Sequence, residues 1–376
     1  MKKDGTSGPD QLVGTSGNDV INGLGGNDTI KGQGGADVLA GGAGLDTIRG
    51  GDGNDYIMAG TGNDTVYGDS GQDIVKAGTG DDVVRGGAGN DKLYGEDGND
   101  TLFGEGGNDW LDGGGTTNKL FGGAGNDTLI WQTGQIELKN QGAPDSTFDG
   151  GSGYDTLRID NDVLWYASDF EGGWTGPFVG EVGILAGDGS LSLKIGNATP
   201  EDVPGIHADI PGIERIEVSG IGPVVLETRS DVPIDYTIVA TPFDDSMAAG
   251  AGDQVLYGEG GNDFINGREG DDRLYGGGGN DVISGGSGRD RLDGGPGEDT
   301  YSDYLPDMFG ERITSFEGAG KAGGDKLNLL LPAQPKDIRV TEHAGYTTFD
   351  WLDDGTNAVL RVDATGLKLG VDYFYF

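Results

Sequence analysis

One aliphatic side chain stands at every ninth position along residues 14–130. The row runs Ile21, Ile30, Leu39, Ile48, Ile57, Val66, Val75, Val84, Leu93, Leu102, Leu111, Leu120 and Leu129. Glycine and polar residues fill the intervals, as in Gly50-Gly51-Asp52-Gly53-Asn54-Asp55-Tyr56-Ile57-Met58. An amphipathic helix would repeat at about 3.6 residues and an isolated strand at 2, so a period of nine describes a larger unit. Each unit reads as a glycine turn followed by a three-residue strand whose middle side chain points inward. Two units make one coil of eighteen residues, which places each loop directly over the loop two units on. The fold class predicted is all-β: two parallel β-roll (β-solenoid) blocks, an inserted β-rich domain and a β-rich C-terminal tail.

The period sets the boundaries. A lead covers 1–13. Block 1 covers 14–130, thirteen units, of which only the twelfth, Gly113 to Phe121, is degenerate. Block 2 covers 240–302, seven units, with its strong run starting at Gly258. Between them, 131–239 is aperiodic and carries Trp131, Trp165, Tyr166, Phe170, Trp174 and Phe178. A repeat-like island, Gly150 to Leu157, lies one residue out of register, since Asp155 is 28 residues past Asp127. Alternating stretches at 191–195 and 213–218 predict strands punctuated by prolines. The tail, 303–376, predicts further strands at 338–340, 347–349 and 358–362.

Two residues before each aliphatic stands a carboxylate. In block 1 these are Asp19, Asp28, Asp37, Asp46, Asp55, Asp64, Asp73, Asp82, Asp91, Asp100, Asp109 and Asp127, with Asn118 holding one place. In block 2 they are Asp245, Asp263, Asp272, Asp281, Asp290 and Asp299, with Gln254 substituting once. Stacking loops at the strand spacing of about 4.8 Å brings these carboxylates close enough to repel one another. A hard divalent cation between them reverses that. Calcium takes six to eight oxygens in adaptable geometry, and aspartates with glycine-turn carbonyls supply them; magnesium demands tighter octahedral packing. All eighteen aspartates are therefore predicted metal ligands. Thirteen and seven loops allow at most eleven and five stacked pairs, so the expected load is roughly 10–16 Ca2+.

Composition sharpens this. Hydrophobic residues are only 34 % and glycines number 79, which without the period would indicate disorder. Acids outnumber bases 64 to 24, a net charge of −40. Such a field disfavours nucleic acid and anionic membranes and favours cations. With one aliphatic in nine, burial does not offset the chain entropy of so many glycines, so the metal-free chain is expected to be unfolded and metal binding to supply the folding free energy. There is no cysteine, hence no disulfide or thiol chemistry. No apolar run approaches the length of a membrane span, and Met1-Lys2-Lys3-Asp4-Gly5 does not read as a signal peptide.

Catalytic signals are sparse. The two histidines, His207 and His343, stand 136 residues apart and form no His-Glu-x-x-His motif, and no Gly-x-Ser-x-Gly elbow occurs. Gly318, Gly320 and Gly323 form a Gly-x-Gly-x-x-Gly without the strand–helix context that binds dinucleotides. Asp145, Asp149, Asp155, Asp160, Asp162 and Asp169 offer carboxylates for a hydrolytic pair, and the aromatics at 165–178 could form a sugar platform or a core. Lys31, Arg49, Lys76 and Arg85, at the last repeat position, are expected to solvate the strand face and to blunt lateral pairing.

The nonapeptide Gly-Gly-x-Gly-x-Asp-x-aliphatic-x resembles that of RTX proteins. The resemblance implies calcium-dependent folding outside the cell and export, unfolded, by a type I secretion system of a Gram-negative bacterium. The segment from Arg312 to Glu317, then Gly324 to Leu329, and the terminal Tyr373-Phe374-Tyr375-Phe376 resemble the secretion region that follows such blocks. It implies a secreted or cell-surface protein whose role is structural, adhesive, or that of a surface layer or matrix. Possible partners are the export machinery, further copies of the chain, and cell-surface polysaccharide. The alternative is a secreted enzyme or carbohydrate-binding protein whose working domain is 131–239. The sparse catalytic signals favour the non-enzymatic reading.

Overall fold

The structure is a computed structural model. It describes residues 1–132 except 115 and 116, residues 146–161 and 235–304, and elsewhere short segments that are mostly strands. Every regular element among the described residues is a β-strand. No helix among them is long and apolar enough to cross a membrane. The chain forms two units, one of 1–163 with 206–219, the other of 164–205 with 220–376.

In the first unit each nonapeptide contributes one strand, and successive strands alternate between two parallel sheets. Val20–Gly25 pairs with Val38–Ala43, while Thr29–Gly34 pairs with Thr47–Asp52. The register is eighteen residues throughout: Ile21 lies beside Leu39, and Ile30 beside Ile48. The predicted coil is the one observed. Strands in block 1 are mostly six residues long rather than three, because the ladder runs on through the glycine turn, pairing Gly42 with Gly60 and Ala43 with Thr61. The inward aliphatics are sealed: Ile30, Leu39, Leu102 and Leu120 are all buried to 0 % exposure. One row of aliphatics from each sheet thus meets along the axis and forms most of the apolar interior.

The coil extends beyond the periodic stretch at both ends. Lys2–Asp4 and Gln11–Val13 pair with the next strands of their sheets in the same register, with Leu12 buried in the aliphatic row. After the degenerate twelfth unit, Ser146–Ser152 pairs with Lys119–Ala124, and Thr156–Asn161 with Thr128–Gln132. Phe148 and Leu157 occupy the inward positions. The island that is out of register in sequence is therefore in register in space, the extra ten residues falling between the two strands of one coil. Ile206–Asp209 then adds to the Ser146–Ser152 edge.

The second unit repeats the scheme with three-residue strands. Thr237–Val239, Val255–Tyr257, Arg273–Tyr275 and Arg291–Asp293 form one ladder, and Ser246–Ala248, Phe264–Asn266, Val282–Ser284 and Thr300–Tyr304 the other. Val224–Glu227 and Val182–Ile184 lengthen the second ladder from its open edge. The first ladder ends differently. Arg312–Ile313 pairs in parallel with Ala358–Val362, which continues as an antiparallel meander through Thr347–Trp351 to Ile338–Glu342. An exposed row of backbone donors and acceptors recruits whatever strands are nearby, so aperiodic segments join the sheets.

Candidate calcium-binding columns

Stacking at eighteen residues aligns the aspartates into columns, and all eighteen predicted ligands are buried there. The columns are held by a repeated hydrogen bond. The backbone N–H of Asp28 donates to Oδ1 of Asp46 at 2.7 Å, and that of Asp46 to Asp64 at 2.7 Å. The bond recurs in the second unit, from Asp245 to Asp263 at 2.7 Å and from Asp263 to Asp281 at 2.8 Å. Asp127 bonds Asp155 in this way across 28 residues, which adds Asp155 to the column. Asp10, likewise absent from the predicted ligands, heads another column through Asp28, its N–H donating at 2.8 Å. Its signal in the sequence is its place nine residues before Asp19, with Leu12 two residues on.

The second carboxylate oxygen is the chemically unusual one. Oδ2 of Asp28, Asp37, Asp46, Asp55, Asp64, Asp73, Asp82, Asp91, Asp100, Asp109 and Asp127 is buried and has no hydrogen-bond partner; the same holds for Asp263, Asp272 and Asp281. A buried charged oxygen without a partner is among the costliest groups a fold can hold. Burial is accordingly the main cause that raises these acids. Asp55, Asp64, Asp82, Asp91, Asp127 and Asp263 are pushed up to about 7, Asp73 and Asp100 to about 6, and Asp272 to about 8. Hydrogen bonds from the neighbouring backbone oppose the shift, and the stacked carboxylates of most of them add to it.

A closely fitted backbone surrounds each orphaned oxygen. A Cβ on Gly23 would lie 2.2 Å from Asp28 Oδ2 and 2.5 Å from the Gly41 carbonyl oxygen; on Gly32 it would meet Asp37 Oδ2 at 2.2 Å and the Gly50 oxygen at 2.5 Å. The pattern persists in the second unit, where Gly258 faces Asp263 Oδ2 and the Gly276 oxygen. Only glycine lets carboxylate and carbonyl converge so closely. Among the described residues no group of three or more His, Asp or Glu side chains could hold a metal. Calcium here would draw on one or two carboxylates and complete its shell with carbonyl oxygens. That donor set, all hard oxygen with orphaned anionic atoms, fits calcium.

A second ladder sits one residue before many of the aspartates. Asn54 Oδ1 accepts from the N–H of Gln72 at 2.9 Å, Asn90 from Asn108 at 2.8 Å and Asn108 from Asn126 at 2.8 Å. Its bonds run toward the next coil, whereas the stacked aspartates accept from the previous one, so a loop that carries both acceptors is braced from both sides; Ala36 and Leu45 at this place only donate. The Asn of the Asn-Asp pair was visible in the sequence, but its role requires the stacking.

The remaining candidates are not brought together. His343 is exposed and stacks on Tyr346 with ring centroids 4.4 Å apart, its Nε2 3.2 Å from Thr348 Oγ1. His207 lies on Ile206–Asp209. Asp149 and Asp160 fall on strands of opposite sheets of the first unit. Trp165 pairs with Phe178 across a short antiparallel ladder. Asp145, Asp162, Asp169, Phe170, Trp174, the glycines at 318–323 and the terminal 371–376 lie outside the described residues. The outer cations bridge adjacent coils: Arg49 lies 4.4 Å from the Tyr67 ring centre and 3.3 Å from Asp69, and Arg85 lies 4.1 Å from Phe103 and 3.0 Å from Glu105.

The family described as RTX calcium-binding nonapeptide repeat (4 copies) has a model that matches residues 4–39, 31–66, 67–102, 94–129, 239–274 and 266–301. Together these matches cover 4–129 and 239–301, half of the chain. A comparison with curated proteins returned no match.

Proposed function

Because the chain belongs to the family of RTX calcium-binding nonapeptide-repeat proteins, we propose that it is a secreted, non-enzymatic protein that folds on meeting extracellular calcium and serves as a structural, surface-layer, matrix or adhesion module. The observation that carries the reading is the row of buried, unpartnered Asp Oδ2 atoms. Without cations these atoms repel one another and lack solvation; with them they hold the coils together. Extracellular calcium modules bind at about 10⁻⁴–10⁻³ M, so such a chain stays open in a low-calcium cytosol and closes outside. Export of the open chain by type I machinery of a Gram-negative bacterium, and contacts with further copies or with surface polysaccharide, accord with this order of events.

The test is a calcium titration from EGTA to about 10 mM, followed by far-ultraviolet circular dichroism and light scattering. The expected outcome is a coil-to-β transition, then growth into defined oligomers or sheets. A full β signal persisting in EGTA would overturn the calcium-coupled folding, and a steady compact monomer at all concentrations would overturn the assembly role.

A further inference from the structure

Three loops of the columns are closed in another way, and all three lie near the start of a unit's repeat ladder. Thr15 donates its backbone N–H to Asp19 Oδ2 at 2.5 Å and its hydroxyl to the same oxygen at 3.1 Å. Thr6 does the same to Asp10 Oδ2, at 2.6 and 2.9 Å. Thr241 repeats it on Asp245 Oδ2, at 2.9 and 3.0 Å. In each case threonine stands four residues before the aspartate.

Backbone conformation explains the difference. At the same place in loops with an orphaned Oδ2, the residue adopts positive φ: Leu24 at 76°, Gln33 at 86°, Gly51 at 113°, Gly60 at 121°, Glu96 at 69°, Glu105 at 75° and Glu259 at 71°. A β-branched residue resists that region, and Thr6, Thr15 and Thr241 are not among the positive-φ residues. In the three threonine loops the amide, supported by the hydroxyl, instead meets the carboxylate where the other loops leave it bare.

We propose that Thr6, Thr15 and Thr241 replace calcium in their own loops, so that Asp10, Asp19 and Asp245 are closed by protein donors and the first loops of each roll are calcium-independent ends. The amide and hydroxyl supply the positive partner that a cation supplies elsewhere, and a cation would have to displace both. The inference rests on the calcium reading above. It narrows that reading by separating metal-requiring loops from self-closed ones through a single residue four positions before the aspartate.

The experiment counts calcium bound per chain on the full-length protein, by equilibrium dialysis with elemental analysis, in the wild type, T15G/T241G and T15V/T241V. Glycine permits positive φ and removes the hydroxyl; valine keeps the β-branch and the amide and removes only the hydroxyl. The double glycine variant is expected to gain about two ions, one per released loop, with valine leaving the count at the wild-type value. An unchanged count in T15G/T241G overturns the proposal, as does an equal gain in the valine variant. Should the glycine variant fail to fold in calcium, E105T decides. Imposing threonine on a positive-φ site is expected to remove about one ion, and an unchanged count overturns the proposal. A wild type that binds no calcium at all would instead sink the family-level reading, so the two failures are distinguishable.

Discussion

The two rolls obey one rule with different surfaces. Both stack at eighteen residues, both bury one aliphatic per unit, and both align aspartates whose N–H donates to the carboxylate a coil later. Around this shared frame the outer rows diverge. In the first, six-residue strands carry a row in which Arg49, Tyr67, Arg85, Phe103 and Phe121 succeed one another, with Phe103 and Phe121 stacked at 4.9 Å. In the second, three-residue strands carry Tyr257 stacked on Tyr275 at 4.7 Å, and its loops join through isolated bridges such as Gly260 with Gly278. Its second ladder mixes Asp with Asn where the first is largely Asn: Asp235, Asp253 and Asp271 accept from the next coil along one column, Asn262 and Asn280 along the other. What recurs is what closure of a coil requires. What varies faces outward and is free to set solubility and partners.

The largest expected effect comes from breaking the shared frame in each roll separately. Leu102→Ala in the first and Leu274→Ala in the second each delete a fully buried side chain and should cost about 2–5 kcal/mol of the calcium-loaded fold. Denaturant unfolding monitored by region-resolved hydrogen exchange checks this. Loss confined to one roll would show that they unfold separately, whereas coincident loss would show one cooperative body.

Acidity sharpens the comparison next. Asp55, Asp64, Asp73, Asp82, Asp91, Asp100, Asp127, Asp263 and Asp272 sit above the usual value of 3.8 in the metal-free fold, at about 6 to 8. Folding therefore takes up protons. The stabilisation this brings is complete below about 3.8 and is lost as pH rises through about 6 to 8. In EGTA, lowering the pH from 8 to 5 should increase β-structure. With calcium the order reverses, because ligands must be deprotonated: apparent affinity should fall over the same acidification, with proton release on binding measurable by calorimetry in buffers of different ionisation enthalpy. A calcium affinity independent of pH between 5 and 8 would contradict the raised carboxylates.

The smallest effect should come from the outer row. Arg85→Ala removes a partly exposed cation–aromatic contact and an ion pair and should cost at most about 1 kcal/mol, less in high salt. A larger loss would mean that the outer row helps to hold the coils in register.

Much of this was legible in the nonapeptide because both periodic features are local: an aliphatic and an aspartate at set positions of every unit specify coil, interior and column together. The sequence also exposed Asn118 and Gln254 as gaps. Structure shows how the gaps are kept in register, since the Asp100 N–H donates to Asn118 Oδ1 at 2.8 Å and the Gln254 N–H to Asp272 Oδ1 at 2.7 Å. Asp155 looked out of phase only because counting along the chain cannot see an excursion that returns to the same coil. The contribution of 1–13 was hidden for a related reason, as Gln11–Val13 lacks the full glycine pattern and is recruited by the strand it stacks on.

The sequence by itself determined the period, the burial row, the carboxylate column and the kind of cation such a column suits, since each follows from side-chain chemistry repeated at a constant interval. The tertiary structure decided which oxygen of each aspartate is left without a partner and which aperiodic strands extend each ladder. Those outcomes depend on contacts between residues eighteen or more apart and on the sign of one backbone angle, positive at residues such as Leu24, Gln33 and Glu105 beside a bare Oδ2 and not at the three threonines.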